Sequence, residues 1–140
     1  MSGLILVRDI MTKNVKTVRP SSTIIEGVRK MNKFSIGSVV VTQGKRVVGM
    51  ITERDILMKV VEAQMDPSII KAKEIMSTSI ITVDLNTPIE EASRIMTRNQ
   101  IKKLPVVDEG SLVGIVTATD ITRSAPQLIN LLQDIMWKRI

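Results

Sequence analysis

The sequence predicts an α/β (α+β) fold made of two tandem β-α-β-β-α units packed as one pseudo-two-fold module. The first observation behind this is an internal repeat: shifting the 140-residue chain by 65 positions aligns residues 7–56 on 72–121 without a gap. Identities run through the whole match, among them Ile10/Ile75, Met11/Met76, Thr17/Thr82, Ile24/Ile89, Glu26/Glu91, Arg29/Arg94, Met31/Met96, Gly49/Gly114, Thr52/Thr117 and Asp55/Asp120. The second is that each copy shows the same alternation of strand-like and helix-like patterning. The third is size: neither copy is long enough to bury its faces alone, so the two must stack.

Each copy opens with a short strand, expected over Val15–Val18 and Ile80–Val83. A helix follows. In copy one it begins after Ser22-Thr23 and turns Ile24, Val28 and Met31 to one face, with a capping box at Thr23 and Glu26. In copy two Thr87 is the expected N-cap, Pro88 the first helical residue and Glu90 the box partner, one residue out of frame with copy one. Two β-rich runs separated by a turn come next: Ser38–Thr42 and Arg46–Thr52 around Gln43-Gly44-Lys45, then Leu104–Val107 and Leu112–Thr117 around Asp108-Glu109-Gly110. This is a hairpin pattern. A second helix closes each copy near Asp55 and Asp120, and Asp66-Pro67-Ser68 breaks the first of these. The repeats are assigned to residues 7–62 and 72–126. A C-terminal helix is assigned to 127–140, where Leu128, Leu132, Ile135 and Met136 recur at helical spacing. It serves either to cover the module's own core or to contact a second copy.

Composition narrows the chemistry. Hydrophobic residues make up 44% and charged residues 24%, the balance of a globular chain. No apolar run approaches the roughly 20 residues of a membrane span. Leu4–Val7 is too short for a signal-peptide core and has no basic region before it, so a cytoplasmic location is expected. Cysteine and histidine are both absent, which excludes disulfides, thiolate nucleophiles, Ser-His-Asp triads and zinc sites of the usual ligand sets. No nucleophile–base pair stands out, and an enzyme is not expected. Phe34 and Trp137 are the only aromatic residues, too few for a base-stacking platform. The net charge of +6 is spread in short pairs such as Lys45-Arg46 and Lys102-Lys103, which suits any polyanionic ligand, a nucleotide phosphate included, and is a weak pointer to DNA.

The most informative residues lie where the second hairpin strand runs into the second helix, Gly49-Met50-Ile51-Thr52-Glu53-Arg54-Asp55 and Gly114-Ile115-Val116-Thr117-Ala118-Thr119-Asp120. As local structure, Thr-x-x-Asp is a capping box with Thr as N-cap and Asp at the third helical position. As chemistry, a helix start holds phosphate, the Thr hydroxyl adds a donor, and a carboxylate accepts from ribose hydroxyls. The glycine permits close approach of ligand or backbone. Capping alone would tolerate Ser, Asn or Glu, whereas the whole set occurs twice at equivalent places.

With Asp9-Ile10-Met11-Thr12, Glu74-Ile75-Met76-Ser77 and Leu104-Pro105-Val106-Val107-Asp108, these motifs make the chain resemble a CBS-domain pair, the Bateman module, over essentially its whole length. The resemblance implies two clefts between the copies that bind adenosine-containing ligands, AMP first and ADP, ATP or S-adenosylmethionine next, with no other cofactor. Carried over by position, one cleft would use Thr52, Arg54 and Asp55 with Ser79, Ile80, Ile81, Thr82, Ile101, Lys102, Lys103 and Pro105. The other would use Thr117, Thr119 and Asp120 with Asn14, Val15, Lys16, Thr17, Ile36, Gly37 and Ser38. Arg54, Lys102 and Lys103 favour phosphate in the first cleft, and Thr119 in place of Arg54 predicts weaker or different occupancy in the second. Val40 stands where copy two has Pro105, so the two base pockets are not expected to be equivalent. The resemblance further implies a stand-alone regulatory binding module, a homodimer forming a four-copy disc, and an effector protein that reads the bound state. The competing reading is a structural or nucleic-acid-associated protein with vestigial clefts and a basic binding surface, whose affinity would fall steeply with salt.

Overall fold

The computed structural model describes residues 3–137. They form two compact units, a continuous one of Lys16–Ile80 and a discontinuous one that joins the residues up to Val15 to those from Ile81 onward. These units are not the sequence repeats. Each repeat begins with a leader segment, and each leader belongs to the unit that carries the other repeat's strands and helices.

In the continuous unit, Thr17–Val18 (β1) pairs in parallel with Ser38–Gln43 (β2), and β2 pairs antiparallel with Arg46–Thr52 (β3). The central strand is buried from Ser38 to Thr42, which is why it reads as the β-branched run Val39-Val40-Val41 rather than as an alternation. The hairpin closes at Gly44, whose φ of 64° lies in the left-handed region that glycine tolerates. The expected strand over Val15–Val18 shortens to two residues because only Thr17 and Val18 find partners, Val40 and Val41.

Helix α2 (Ile24–Phe34) buries Ile24, Gly27 and Met31, and Thr23 Oγ1 accepts from Glu26 N at 3.3 Å. It ends at Ser35 in the left-handed conformation. A short helix, α3 (Glu53–Ile56), continues into a π-helical turn over Leu57–Val61. The leader of the second repeat, with its helix α4 (Ala72–Ile75), completes this unit. Ala72 N donates to Ser22 O at 2.7 Å and Lys73 N to Pro20 O at 3.0 Å. In return, the first amides of α2 donate into the same stretch, Ile24 N to Ile70 O at 3.0 Å and Ile25 N to Pro67 O at 2.8 Å. Donors that every helix start leaves unpaired are thus satisfied by the linker. The break at Asp66-Pro67-Ser68 is a turn in which Asp66 Oδ1 accepts from both the amide and the hydroxyl of Ser68. Those donors hold the Asp66 carboxyl below its ordinary value.

The discontinuous unit repeats the plan. Val83–Asp84 (β4) pairs in parallel with Lys103–Asp108 (β5), which pairs antiparallel with Ser111–Thr117 (β6). Helix α5 (Ile89–Asn99) starts in the same frame as α2, which corrects the sequence expectation. Pro88 is the N-cap, with no side-chain bond, and Thr87 lies before it. The reason is again the leader, here the first repeat's α1 (Val7–Ile10). Val7 N donates to Thr87 O at 2.8 Å, and Ile89 N donates to Ile5 O at 3.0 Å, so α5 has no need of a Thr87 cap. After α6 (Ala118–Ser124) and a 3-10 turn over Pro126–Leu128 comes α7 (Ile129–Met136). Leu132 and Ile135 on α7 are 0% exposed and join Met96, Leu104 and Ile121 in one core. The helix expected over 127–140 therefore covers its own unit, and its residues 138–140 lie outside the described ones. No helix among the described residues is long and apolar enough to cross a membrane.

Candidate functional site

Both Gly-x-x-Thr-x-x-Asp motifs fold into the same local structure. Thr52 N donates to Asp55 Oδ2 at 2.9 Å, and Asp55 N donates back to Thr52 Oγ1 at 3.2 Å. Thr117 N donates to Asp120 Oδ2 at 3.0 Å, and Asp120 N to Thr117 Oγ1 at 3.1 Å. The capping boxes are real in both units, and a box of this kind contributes about 1 kcal/mol. They also fix the carboxylates, both half-buried, at the strand-to-helix corner.

The glycine has a definite task. A Cβ on Gly49 would lie 2.7 Å from Met76 Cγ, and one on Gly114 would lie 2.9 Å from Met11 Cγ and 3.0 Å from the Thr12 carbonyl. The close approach anticipated at these glycines is thus made by the leader methionine of the other repeat. Backbone bridges between Met50 and Ser77 and between Ile115 and Thr12 lie beside them.

Those bridges determine which expected site residues share a unit. In the continuous unit, Ser77 on Met50 carries Ser79 and Ile80 along with the Thr52, Arg54 and Asp55 motif. In the discontinuous unit, Thr12 on Ile115 carries Asn14 and Val15 along with Thr117, Thr119 and Asp120. Each motif also touches its own repeat's second strand. Glu53 N donates to Gly37 O at 3.1 Å and Ser38 is the register partner of Thr52. Ala118 N donates to Lys102 O at 2.9 Å and Lys103 is the register partner of Thr117. Ile36–Ser38, Lys16 and Thr17 fall in the continuous unit, and Ile81, Thr82, Ile101–Lys103 and Pro105 in the discontinuous one. Lys102 and Lys103 therefore share a unit with Asp120, while Arg54 shares one with Asp55. Lys16 stacks on Phe34, 4.1 Å from the ring centroid.

Sequence reasoning missed Lys59. Its Nζ lies 3.3 Å from Asp55 Oδ1 and donates to Ile75 O at 2.9 Å, at the end of α4. The i,i+4 spacing from Asp55 was the available signal.

The fold and the doubled motif define a tandem-repeat module of mixed α and β structure. The chain belongs to the CBS domain family, which matches residues 7–62 and 72–126. It is 38% identical to an uncharacterized protein of Methanopyrus kandleri over 94% of this chain and 68% of that one. It is 37% identical to Hypoxic response protein 1 of Mycobacterium tuberculosis over 86% of this chain and 85% of that one. A crystal structure of Hypoxic Response Protein I with two coordinated zinc ions superposes with a TM-score of 0.80 at 36% identity, covering 87% of this chain and 100% of that one. A CBS domain pair crystallised with 5′-methylthioadenosine and S-adenosyl-L-methionine superposes with a TM-score of 0.78 at 28% identity, covering 89% and 98%.

Proposed function

We propose that the chain is a regulatory, non-catalytic module of the cytoplasm that binds adenine nucleotides, AMP first and ADP or ATP next. One observation carries this: the same Thr-x-x-Asp corner, with the same reciprocal hydrogen bonds, stands in both units. The solved relative that holds two adenosine derivatives supports it. The Asp carboxylates would accept from ribose hydroxyls, the Thr residues and the neighbouring Arg54, Lys102 and Lys103 would face phosphate, and Ile36, Ile80, Ile81, Ile101 and Pro105 would hold the base. Ligand then shifts the module between states that an effector reads.

A thermal-shift screen with AMP, ADP, ATP and S-adenosylmethionine tests the reading. Ligand at 100 times its Kd is expected to add about 2.7 kcal/mol. Asp55→Asn combined with Asp120→Asn is expected to abolish the shift while leaving apo stability nearly unchanged, because an amide oxygen still accepts from the Thr amide. Silence toward all four compounds in ligand-free protein would sink it.

We further infer a homodimer. Leu57, Met58 and Val61 stand exposed on the π-helical turn, at a groove of about 340 Å³ lined by Val28, Met31, Ile36, Ile56 and Leu57 with Asn32 and Glu53 among them. The equivalent positions Met96, Ile101 and Ile121 in the other unit share a core with the α7 residues Leu132 and Ile135. An apolar face of this kind fits a second copy. Leu57→Asp is expected to convert dimer to monomer in sedimentation, and a wild-type monomer would refute the inference.

A further inference from the structure

The two motifs share their capping bonds but not the surroundings of their carboxylates. Asp55 Oδ2 accepts from Thr52 N at 2.9 Å and from Thr52 Oγ1 at 3.1 Å. Its other oxygen, Oδ1, faces Lys59 Nζ at 3.3 Å. That ammonium does not swing freely on a surface stem, because it also donates to Ile75 O at 2.9 Å. It spans from the π-helical turn to the last residue of α4, and the Asp55 side chain is only 18% exposed. A carboxylate offers about four lone-pair directions. Three at Asp55 are engaged within the chain, and a ribose diol brings two donors.

In the second repeat the position equivalent to Lys59 is Ser124. A serine hydroxyl one carbon from the backbone cannot reproduce a lysine's reach or charge. Asp120 Oδ2 accepts from Thr117 N at 3.0 Å, and Asp120 N donates to Thr117 Oγ1 at 3.1 Å, as in the first corner.

We propose that Lys59 is a positioning residue that occupies the Asp55 carboxylate and makes the repeats unequal ribose acceptors, Asp120 being the stronger. This rests on the adenosine-ligand reading above and specifies which motif a nucleoside enters first. It runs opposite to the order expected from Arg54 against Thr119, because Arg54 acts on phosphate whereas Lys59 acts on the sugar's acceptor. At the Asp55 motif the diol must displace an anchored ammonium. A partly exposed pair of this kind corresponds to a factor of about two to five in affinity.

Adenosine is the right probe, since without a phosphate it does not respond to the lysine's charge directly. Calorimetric titration of the full chain is expected to lose its tighter binding event in Asp120→Asn and to keep it in Asp55→Asn. On the Asp120→Asn background, Lys59→Met is expected to tighten adenosine about two- to fivefold, with Lys59→Arg restoring the weaker value. Urea unfolding of the same variants reads any purely structural effect separately. If Lys59→Met leaves adenosine affinity unchanged or weakens it, or if Asp55→Asn removes the tighter event, the assignment of Lys59 is overturned while the ligand reading stands. A wild-type chain that binds AMP but no adenosine overturns the assignment alone, and silence toward AMP, ADP, ATP and S-adenosylmethionine overturns both.

Discussion

Leu132→Ala is expected to destabilise the protein by about 3 kcal/mol, read as a fall in Tm of roughly 6–12 °C. The side chain is 0% exposed, and it packs with Ile135 on α7 against the core that holds Met96 and Ile121. Its removal leaves a cavity that a core of strands and helices cannot fully close. The matched control is Ile129→Ala on the same helix, where the side chain is 41% exposed and the expected change is within about 0.5 kcal/mol. The contrast separates burial from helix propensity, since alanine is the better helix former at both positions. Should Leu132→Ala cost less than 1 kcal/mol, α7 is an appendage and not a wall of the core.

The second large effect is expected at Gly114. An alanine there places its Cβ 3.0 Å from the Thr12 carbonyl oxygen, and that carbonyl accepts from Ile115 N at 3.0 Å. The backbone is held on both sides, so the substitution must break or bend the bridge, at about 2–3 kcal/mol. Gly49→Ala meets Met76 Sδ and Cγ, which an unbranched thioether can turn away, but also Met76 Cβ at 3.0 Å, which the backbone holds in place. We expect about 2 kcal/mol there. Rescue is therefore partial at both sites. Met76→Ala should restore only part of the loss in Gly49→Ala, because Cβ remains, and Met11→Ala only part of that in Gly114→Ala, because the Thr12 carbonyl remains. Full rescue at either site would show that the methionine's outer atoms, not the backbone, set the cost. Denaturant titration of the four single and two double variants decides this.

What could be read from the sequence was what repeats or alternates locally. The two hairpins, the Thr-x-x-Asp corners and the buried face of α2 each follow from spacings of a few residues. The frame of α5 did not, because Pro88 and Thr87 look like a helix start until Ile5 supplies the carbonyl that Ile89 N needs. That bond crosses more than eighty residues of chain, and no local pattern encodes it. The exchange of leaders was hidden for a related reason: Met11 and Met76 are identical, so the sequence cannot say which glycine each one meets. Of the candidate site, the two Thr-Asp corners were visible as types. Lys59 does not stand out, since an i,i+4 Asp-Lys pair is ordinary on any helix until Ile75 O anchors it. The π-helical turn over Leu57–Val61 leaves no mark in an apolar run that reads as plain helix.

The crossed leaders also impose an order on the nascent chain. The continuous unit contains all its own parts, but the segment up to Val15 must wait for residues beyond Ile81. At translation rates of about 5–20 residues per second, those 65 intervening residues take roughly 3–13 s to emerge. Once Thr52 has emerged, and until Met76 follows, the early leader meets a vacant seat shaped for its own twin, because Ile10 and Met11 match Ile75 and Met76. Of the buried leader positions Ile70, Ala72 and Ile75, the early leader matches the outer two with Ile5 and Ile10 and differs at the middle one. Where the rightful occupant has Ala72, 1% exposed, the early leader brings Val7, and two extra methyl groups overpack that seat. A single small residue thus makes this seat a tighter fit for the wrong leader than for the right one.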